Sequence, residues 1–378
     1  MAVKSVVLSG MSLIERVAVD RLGLIARDTG AGATTLCVFL DGAGAGRDFF
    51  TANLGTHNGV RAMSRAKIDE TMKVLLGMGP ILCTVDTYLA LVFQTGILTP
   101  DQVTGVFPYA ADEPCKYTPN INAYTNAICR NVALYYWHLH HHPMKDWHGV
   151  DRTFAYTASN TLTFRAKAPY HNVEKSLRAK IQPVDPARCT LQFDWSAAEF
   201  NLILQHLGYT PPEDAYGEFV AAGLERDPTK RTILAHIYGG QQETLVARAD
   251  GDEASVNRIL ARLDEVYPKV NEWREQCIGG RLAEFNGFHY DLGDVPYKRP
   301  NHWAQTALQF CKWELLSRLA CAGLQTLGSG DLHDQLFFDV DPVKETAQTA
   351  EIIKQVRAPS FGRYNLRPQF KPPAREWG

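Results

Sequence analysis

The sequence predicts an α/β (α+β) fold, and three stretches in its second half carry that prediction. Cys189–Trp195 alternates apolar and polar side chains, as a strand with one buried face does. Leu324–Val340 alternates on either side of a short polar turn, which predicts a β-hairpin. Between the two, Arg226–Gly240 has the spacing of a helix and ends in two glycines, which commonly end helices.

Composition places the chain among ordinary globular proteins. Its 378 residues are enough for one large core or two to three subdomains, and 45% are hydrophobic and 21% charged. A net charge of −2 argues against a generally basic protein that coats nucleic acid, but it leaves room for a local basic cleft. No apolar run reaches the length of a membrane span. Eight cysteines without a CxxC pair predict reduced thiols in the cytoplasm, with neither a zinc site nor a disulfide framework.

A composition break at Pro143–Gly149 divides the chain into residues 1–150 and residues 151–378. The first region is predicted to be mostly helical, with a helix over Asn120–His138 and a strand at Thr34–Leu40. A glycine-rich turn at residues 41–47 follows that strand. Its spacing matches neither phosphate-binding loop motif, so a flexible turn is the prediction.

Five histidines occupy the eleven residues from His138 to His148. Consecutive side chains diverge on a helix or a strand, and no second cluster of Cys or His completes a ligand set. The cluster is therefore predicted to be a surface loop, basic when protonated, rather than a metal site.

The stretch Arg226–Gly240 places a cation, an apolar side chain and a phenol ring on one helical face. Lys230, Leu234 and Tyr238 recur at i, i+4 and i+8, so at about 100° per residue they lie within roughly 80° of one another. Such a face can bind a phosphate at one end and stack a base at the other, although an ordinary amphipathic helix has the same spacing. Asp227-Pro228 resembles an N-cap followed by the first helical residue, which predicts that Arg226 lies just outside the helix.

Two aspartates flank this helix in the sequence. Asp194 is at the end of the predicted strand, just before a predicted helix over Ser196–Leu207, and Asp334 is in the turn of the predicted hairpin. Two carboxylates that meet can hold two divalent cations about 3.5–4 Å apart. Mg²⁺ prefers oxygen ligands, so no His or Cys is needed, and Mn²⁺ is the alternative ion.

The segments around both aspartates are similar to known sequence motifs. Asp194-Trp-Ser-Ala-Ala-Glu199-Phe-Asn is similar to the motif Asp-Tyr-Ser-Gln-Ile-Glu-Leu-Arg. Leu332-His333-Asp334-Gln335 is similar to Val-His-Asp-Glu, with Gln335 in place of its acid.

The helix between them has the spacing of a third motif, RxxxKxxxFxxxYG, with Leu234 in place of its aromatic residue. Tyr267-Pro268-Lys-Val is similar to Tyr-Pro-Gly-Val, and Asn301 and Gln305 match an Asn-xxx-Gln pair. Together, over about residues 155–378, the motifs resemble the polymerase core of the family A DNA polymerases, the group of bacterial DNA polymerase I.

This resemblance implies a right-hand polymerase with an antiparallel β-sheet palm. Short helical fingers at about residues 208–285 would belong to the core of residues 151–378, and residues 1–150 would be a divergent thumb-like or accessory region. The implied activity is template-directed addition of dNTPs to a primer 3′ end with two Mg²⁺ ions, without a proofreading exonuclease. Implied partners are a DNA primer–template and a second protein chain that supplies a thumb or processivity. A compact polymerase of this kind suggests a phage or mobile element, acting in the host cytoplasm.

The resemblance also implies a role for individual residues. Asp194 and Asp334 would hold the metals with the carbonyl of Trp195, and Glu199 would be the steric gate that excludes a 2′-hydroxyl. The implied nucleotide-binding residues are Arg226, Lys230, Leu234, Tyr238 and Glu199. The implied primer–template residues are Asn301, Gln305, His333 and Arg165.

Two alternatives remain open. Thr229-Lys230-Arg231 with Tyr238-Gly239 also resembles the single-subunit RNA polymerases and primase-like enzymes, but those RNA polymerases have Gly where this chain has Glu199. An inactive, polymerase-derived DNA-binding subunit would bind DNA without incorporating nucleotides. Retention of both aspartates and Lys230 argues against it.

Overall fold

The structure is a computed structural model that describes residues 25–28, 34–38, 81–94, 98–108, 122–156 and 163–377. The glycine-rich turn at residues 41–47 lies outside the described residues, as does much of the region before residue 150. Every residue assigned a role above lies within them.

The chain divides into two compact units. The first unit contains Met1–Phe193, Trp313–Val356 and Phe370–Gly378, and the second contains Asp194–Lys312 and Arg357–Gln369. The predicted fingers, about residues 208–285, fall within the second unit.

Among the described residues before residue 150, a four-stranded sheet accompanies the helices. The strands are β1 (Ile25–Asp28), β2 (Thr34–Val38), β3 (Ile81–Thr84) and β4 (Val103–Phe107), in that order across the sheet. The pair β1–β2 is antiparallel, and β2–β3 and β3–β4 are parallel. The strand predicted at Thr34–Leu40 is confirmed as β2. The other three were missed because short apolar runs of four or five residues do not distinguish a strand from a buried helix.

Helices follow β3 and β4. A short helix α1 (Val85–Tyr88) continues into a π-helical segment (Leu89–Gln94). The predicted helix at Asn120–His138 is confirmed as α2 (Ala123–His141), whose first turn is capped because Asn122 Oδ1 accepts from Thr125 N at 2.8 Å. Its buried face includes Ile128, Val132 and Tyr136.

The histidine cluster is not a surface loop, as predicted, but largely the last turn of α2. His138, His140 and His141 belong to the helix, and His142 is its C-cap. Cationic side chains are favourable there because the helix dipole is negative at its carboxyl end.

A second sheet of four strands has the order β11-β12-β8-β13. The predicted strand is confirmed as β8 (Cys189–Trp195), and the predicted hairpin as β11 (Gly328–Leu332) and β12 (Gln335–Val340). The basic tail contributes the edge strand β13 (Pro368–Ala374), whose prolines are tolerated because an edge strand need not donate every backbone hydrogen bond. Phe193 and Phe338 pack within this sheet with ring centroids 6.3 Å apart.

Smaller elements complete the first unit. A three-stranded sheet has the order β6 (Asp151–Arg152), β5 (Met144–Lys145) and β7 (Gln182–Pro183). A 3₁₀ turn (Pro169–Asn172) precedes the short helix α3 (Lys175–Arg178), and α11 (Thr346–Arg357) follows the hairpin.

The second unit is mostly helical. Its helices are α4 (Ala198–His206), α5 (Gly217–Ala221), α6 (Arg226–Ile237), α7 (Gln242–Arg248), α8 (Glu253–Val266), α9 (Lys269–Gly279) and the first part of α10 (Arg299–Cys321). A hairpin of β9 (Leu282–Phe285) and β10 (Phe288–Asp291) precedes α10. Two separate helices, α8 and α9, flank Pro268: α8 ends before it, because proline disfavours a helical conformation in the residue that precedes it.

Helices and small sheets therefore occur together, which confirms the mixed α+β class in its general form. Among the residues that the structure describes, no helix is both long and apolar enough to cross a membrane.

Candidate functional site

The helix with the predicted nucleotide-binding residues, α6, begins two residues earlier than its sequence indicated. Its N-cap is Glu225, so Arg226 is the first helical residue rather than a residue outside the helix. Pro228 is accommodated in the first turn, where its missing N–H would have no intrahelical partner.

The end of α6 matches the prediction from its two glycines. Gly240 N donates to Ala235 O at 2.8 Å and Gly239 N donates to His236 O at 3.0 Å, the paired bonds of a Schellman motif. Gly239 has a φ of +80°, and an added Cβ would overlap the carbonyl oxygen of Tyr297. Glycine is therefore required at this position by conformation and by space.

The face of α6 defined by Lys230, Leu234 and Tyr238 remains accessible. Lys230 is exposed and the other two are half-buried, whereas Ile233 and Ile237, on the adjoining side of the helix, are fully buried. Tyr238 is the C-cap residue, so the three side chains follow the helix from its first turn to its end.

Arg226 binds a residue that the sequence did not reveal as a partner, Asp214. Its Nε and Nη2 donate to the two carboxylate oxygens at 2.9 Å and 3.2 Å, and its guanidinium lies 5.7 Å from the ring centroid of Tyr216. The hydrogen bond from Arg226 lowers the pKa of Asp214, and the charge of Lys230 contributes to that lowering. Both partners of the pair are more than a third exposed, so it contributes about 0–1 kcal/mol, and an anion can displace Asp214 at little cost.

Glu199, the predicted steric gate, faces the same cluster. It lies half-buried in the first turn of α4. Burial raises the pKa of Tyr216, and the charge of Glu199 raises it further, so the carboxylate and the phenol interact. Within the second unit the predicted gate and the predicted triphosphate-binding cations therefore share one neighbourhood, linked by Tyr216 and Asp214.

The turn after Asp194 is tight and internally supported. Asp194 is half-buried and is followed by Trp195, the buried last residue of β8. Ala197 has a left-handed φ of +47°, and Asn201 Nδ2 donates to Ser196 O at 2.8 Å across the turn. These contacts hold the strand–helix connection that presents Asp194.

Asn301 and Gln305 lie one turn apart on α10, on the same face, and both are half-buried. They belong to the second unit with Asp194, Glu199 and the α6 residues. Arg165 belongs to the first unit, where it lies half-buried in an irregular segment before the 3₁₀ turn.

In the first unit, His333 and Asp334 form the two-residue turn between β11 and β12. Leu332 pairs with Gln335 across the hairpin, and His333 has a φ of +57°. A positive φ at the first turn residue suits the twist of a two-residue hairpin. Imidazole rings of His171 and His333 lie 5.6 Å apart. The turn borders a cleft of about 250 Å³.

A buried polar network supports this turn, and nothing in the sequence indicated it. Asp331 is fully buried in β11, and Tyr136 of α2 donates its hydroxyl to Asp331 Oδ2 at 2.6 Å. Tyr170 donates to Asp331 O at 2.8 Å and accepts from Asp331 N at 2.9 Å. His171 Nε2 lies 2.6 Å from the same carbonyl oxygen. Three residues distant in sequence thereby hold the strand that leads into Asp334.

Two of the clustered histidines also take part in the first unit's packing. His142 Nε2 lies 3.0 Å from Asp339 Oδ2 in β12, and His140 Nε2 lies 2.7 Å from Tyr156 O and 3.0 Å from Tyr156 N. Burial lowers the pKa of His140 to about 4, so its imidazole is neutral at pH 7. These histidines hold the end of α2 against its neighbours.

Trp377 was also missed by the sequence reasoning. Its ring stacks on Phe337 of β12 with centroids 4.0 Å apart, and an added Cβ at Gly330 would overlap the ring. Its backbone N donates to Ile181 O at 3.0 Å. The glycine in β11 therefore provides the space that this tryptophan occupies.

The donor atoms assigned to metal ions are the carboxylates of Asp194 and Asp334 and the carbonyl of Trp195, an oxygen-only set of the kind Mg²⁺ prefers. Across the described ranges of the chain, no group of three or more His, Cys, Asp or Glu side chains is arranged to hold a metal ion. Asp194 and Asp334 are only two side chains, so they do not make up a group of that size.

No protein-family model and no curated protein sequence matches the chain.

Proposed function

We propose that this protein is a template-directed DNA polymerase that adds dNTPs to a primer 3′ end by a two-metal mechanism. The observation that carries the proposal is the order of the second sheet. The strand β8, with Asp194 as its sixth of seven residues, is the neighbour of β12, which begins one residue after Asp334. Two carboxylates on or next to neighbouring strands, with a cationic helix between them in the sequence as in a polymerase, support nucleotidyl transfer better than an isolated surface charge would.

Asp194, Asp334 and the carbonyl of Trp195 would hold two Mg²⁺ ions. When bound, such ions activate a 3′-hydroxyl and stabilise the charge of the leaving pyrophosphate. Trp195 is buried, and Asn201 supports the adjacent turn, so the chain holds these donors in place before any ligand arrives.

Lys230 and Arg226 would bind the triphosphate from the first turn of α6. Lys230 is exposed, and Arg226 is held by a half-exposed ion pair that a phosphate can replace. Tyr238, at the other end of the same face, would stack near the base. Cations fixed beside a triphosphate stabilise the charge that develops during its cleavage.

Substitution of Asp334 by Asn tests the activity. We expect primer extension to fall by about 10²–10³-fold or more, because a carboxylate that would hold the charge-stabilising metal ions is lost. The measurement is single-nucleotide incorporation on a labelled primer–template with Mg²⁺. Glu351→Gln, which changes a half-buried carboxylate on α11 of the same unit, is the matched control and should retain activity.

A wild type that neither binds primer–template DNA nor incorporates nucleotides would contradict the polymerase assignment, and normal incorporation by a folded Asp334→Asn variant would contradict the role of Asp334. Binding of primer–template DNA without incorporation by the wild type would instead identify an inactive, polymerase-derived binding subunit. Circular dichroism and thermal unfolding of each variant establish that the fold is intact.

Glu199→Ala tests the choice of sugar. If Glu199 fills the space that a 2′-hydroxyl needs, the variant should incorporate NTPs at least about 10-fold better relative to dNTPs, a loss of roughly 1.4 kcal/mol in discrimination against NTPs. Competing dNTP and NTP incorporation by wild type and variant measures this ratio. A wild type that already prefers NTPs would favour the single-subunit RNA polymerase or primase-like alternative.

A further inference from the structure

The cleft of about 250 Å³ beside the His333-Asp334 turn has an excess of positive charge. Lys175 and Arg178 of α3 and Lys371 of β13 line it, and Asp334 is the single carboxylate among its described lining residues. The three cations come from two segments almost two hundred residues apart in the sequence. All of these residues belong to the first unit.

The walls of the cleft are held in place by contacts outside it. After β13, Arg375 Nη1 donates to Arg188 O at 3.0 Å, and Trp377 N donates to Ile181 O at 3.0 Å. Trp377 lines the cleft while stacked on Phe337. The segment that carries Lys371 is therefore anchored at both ends, by sheet pairing and by these bonds, which reduces the entropy lost on binding.

The chemistry of the lining suits a polyanion with hydrogen-bonding groups. The amides of Gln192 and Gln335 and the imidazole of His333 accompany the cations. Cations attract phosphates without regard to sequence, amides can bond sugar or base edges, and the apolar surface of Phe337 and Trp377 can contact a sugar or base.

We propose that this cleft binds the phosphate backbone of a DNA strand, with Lys175, Arg178 and Lys371 as its phosphate ligands. The inference deepens the proposed function and rests on it for the identity of the polymer. The bound strand lies against the Asp334 turn, where the strand that is extended has to end. The free triphosphate is bound elsewhere, by Lys230 and Arg226.

The test compares the double variant Arg178→Gln/Lys371→Gln with the wild type in binding a fluorescently labelled primer–template DNA, without Mg²⁺, over a series of salt concentrations. Each lost phosphate contact lowers the slope of log K against log salt by about 0.7–0.9, so we expect a reduction of about 1.5. The matched control is Lys344→Gln/Lys354→Gln, which removes the same charge from lysines of the same unit whose side chains are 81% and 72% exposed. The control should keep the wild-type slope.

An equal change of slope in both double variants would overturn the inference, because net charge alone would then explain binding. Retained DNA binding with lost dNTP binding would also overturn it and would make the cleft a nucleotide site. A second variant, Lys175→Glu, replaces a positive charge by a negative one. It should weaken DNA binding more than the neutralisation of one cation would. Failure of the polymerase proposal is distinguished by primer extension: no incorporation by the wild type removes the proposed activity, while the salt series still decides whether DNA occupies the cleft.

Discussion

At the scale of single residues, the candidate site depends on hydrogen bonds between side chains that are far apart in the sequence. Asp331 in β11 is buried completely and receives a hydroxyl hydrogen bond from Tyr136 of α2. A buried carboxyl group is costly without such donors. The network therefore fixes the strand that leads into the His333-Asp334 turn.

Tyr136→Phe should destabilise the protein by about 1–3 kcal/mol, because it removes a donor from a buried carboxyl group and leaves the ring in place. Urea unfolding measures the difference. Tyr297→Phe changes a hydroxyl on a half-exposed ring of the second unit and should have an effect within about 0.5 kcal/mol. Equal stability of Tyr136→Phe and wild type would show that the Tyr136 hydroxyl contributes nothing.

At the scale of elements, α2 is the element whose end the sequence misrepresented. The histidines after Trp137 read as a surface loop, yet the helix continues through His141 and places His140 against Tyr156. An imidazole in this environment is held neutral by burial, with the nearby His141 opposing its protonation further.

This contact predicts a loss of stability in acid. The folded pKa of His140 is about 4 and the unfolded value about 6.5, so the unfolded state binds the proton first. The contribution of neutral His140 to the free energy of unfolding is complete above pH 6.5 and declines by up to about 3 kcal/mol as the pH falls toward 4. The free energy of unfolding of wild type and His140→Gln, measured from pH 7.5 to 4.5, should differ in slope over that window.

His148→Gln is the control for that titration, because His148 is exposed. Its slope should match that of the wild type. A His140→Gln variant with the wild-type dependence on pH would assign the acid sensitivity to other groups.

At the scale of the whole molecule, the candidate residues are divided between the two units. Asp194, Glu199 and the α6 residues belong to the second, and Asp334, His333 and the basic cleft belong to the first. Within the first unit, β13 and Trp377 join the hairpin and α3 around that cleft. Trp377 thus contributes both to packing and to the shape of the cleft.

Trp377→Ala should cost about 3–5 kcal/mol, because a buried aromatic ring is removed from between Gly330 and Phe337 and leaves a cavity. It should also weaken DNA binding at the cleft through the loss of the anchored β13 segment. Thermal unfolding and DNA binding measure the two effects. Glu376→Ala, at an exposed neighbour, should change neither, and wild-type stability of Trp377→Ala would contradict the role of the ring.

Local patterns in the sequence were enough to determine β8, the β11–β12 hairpin, α6 and its glycine end, because alternation, helical spacing and glycine conformation act within a few residues. They also singled out Asp194, Lys230 and Asp334 as candidates. Only the tertiary structure decided that Arg226 binds Asp214, that Asp331 is held by Tyr136 and Tyr170, and that Trp377 packs on Gly330. Those contacts join residues up to about two hundred positions apart, and they depend on how elements pack rather than on any periodicity along the chain.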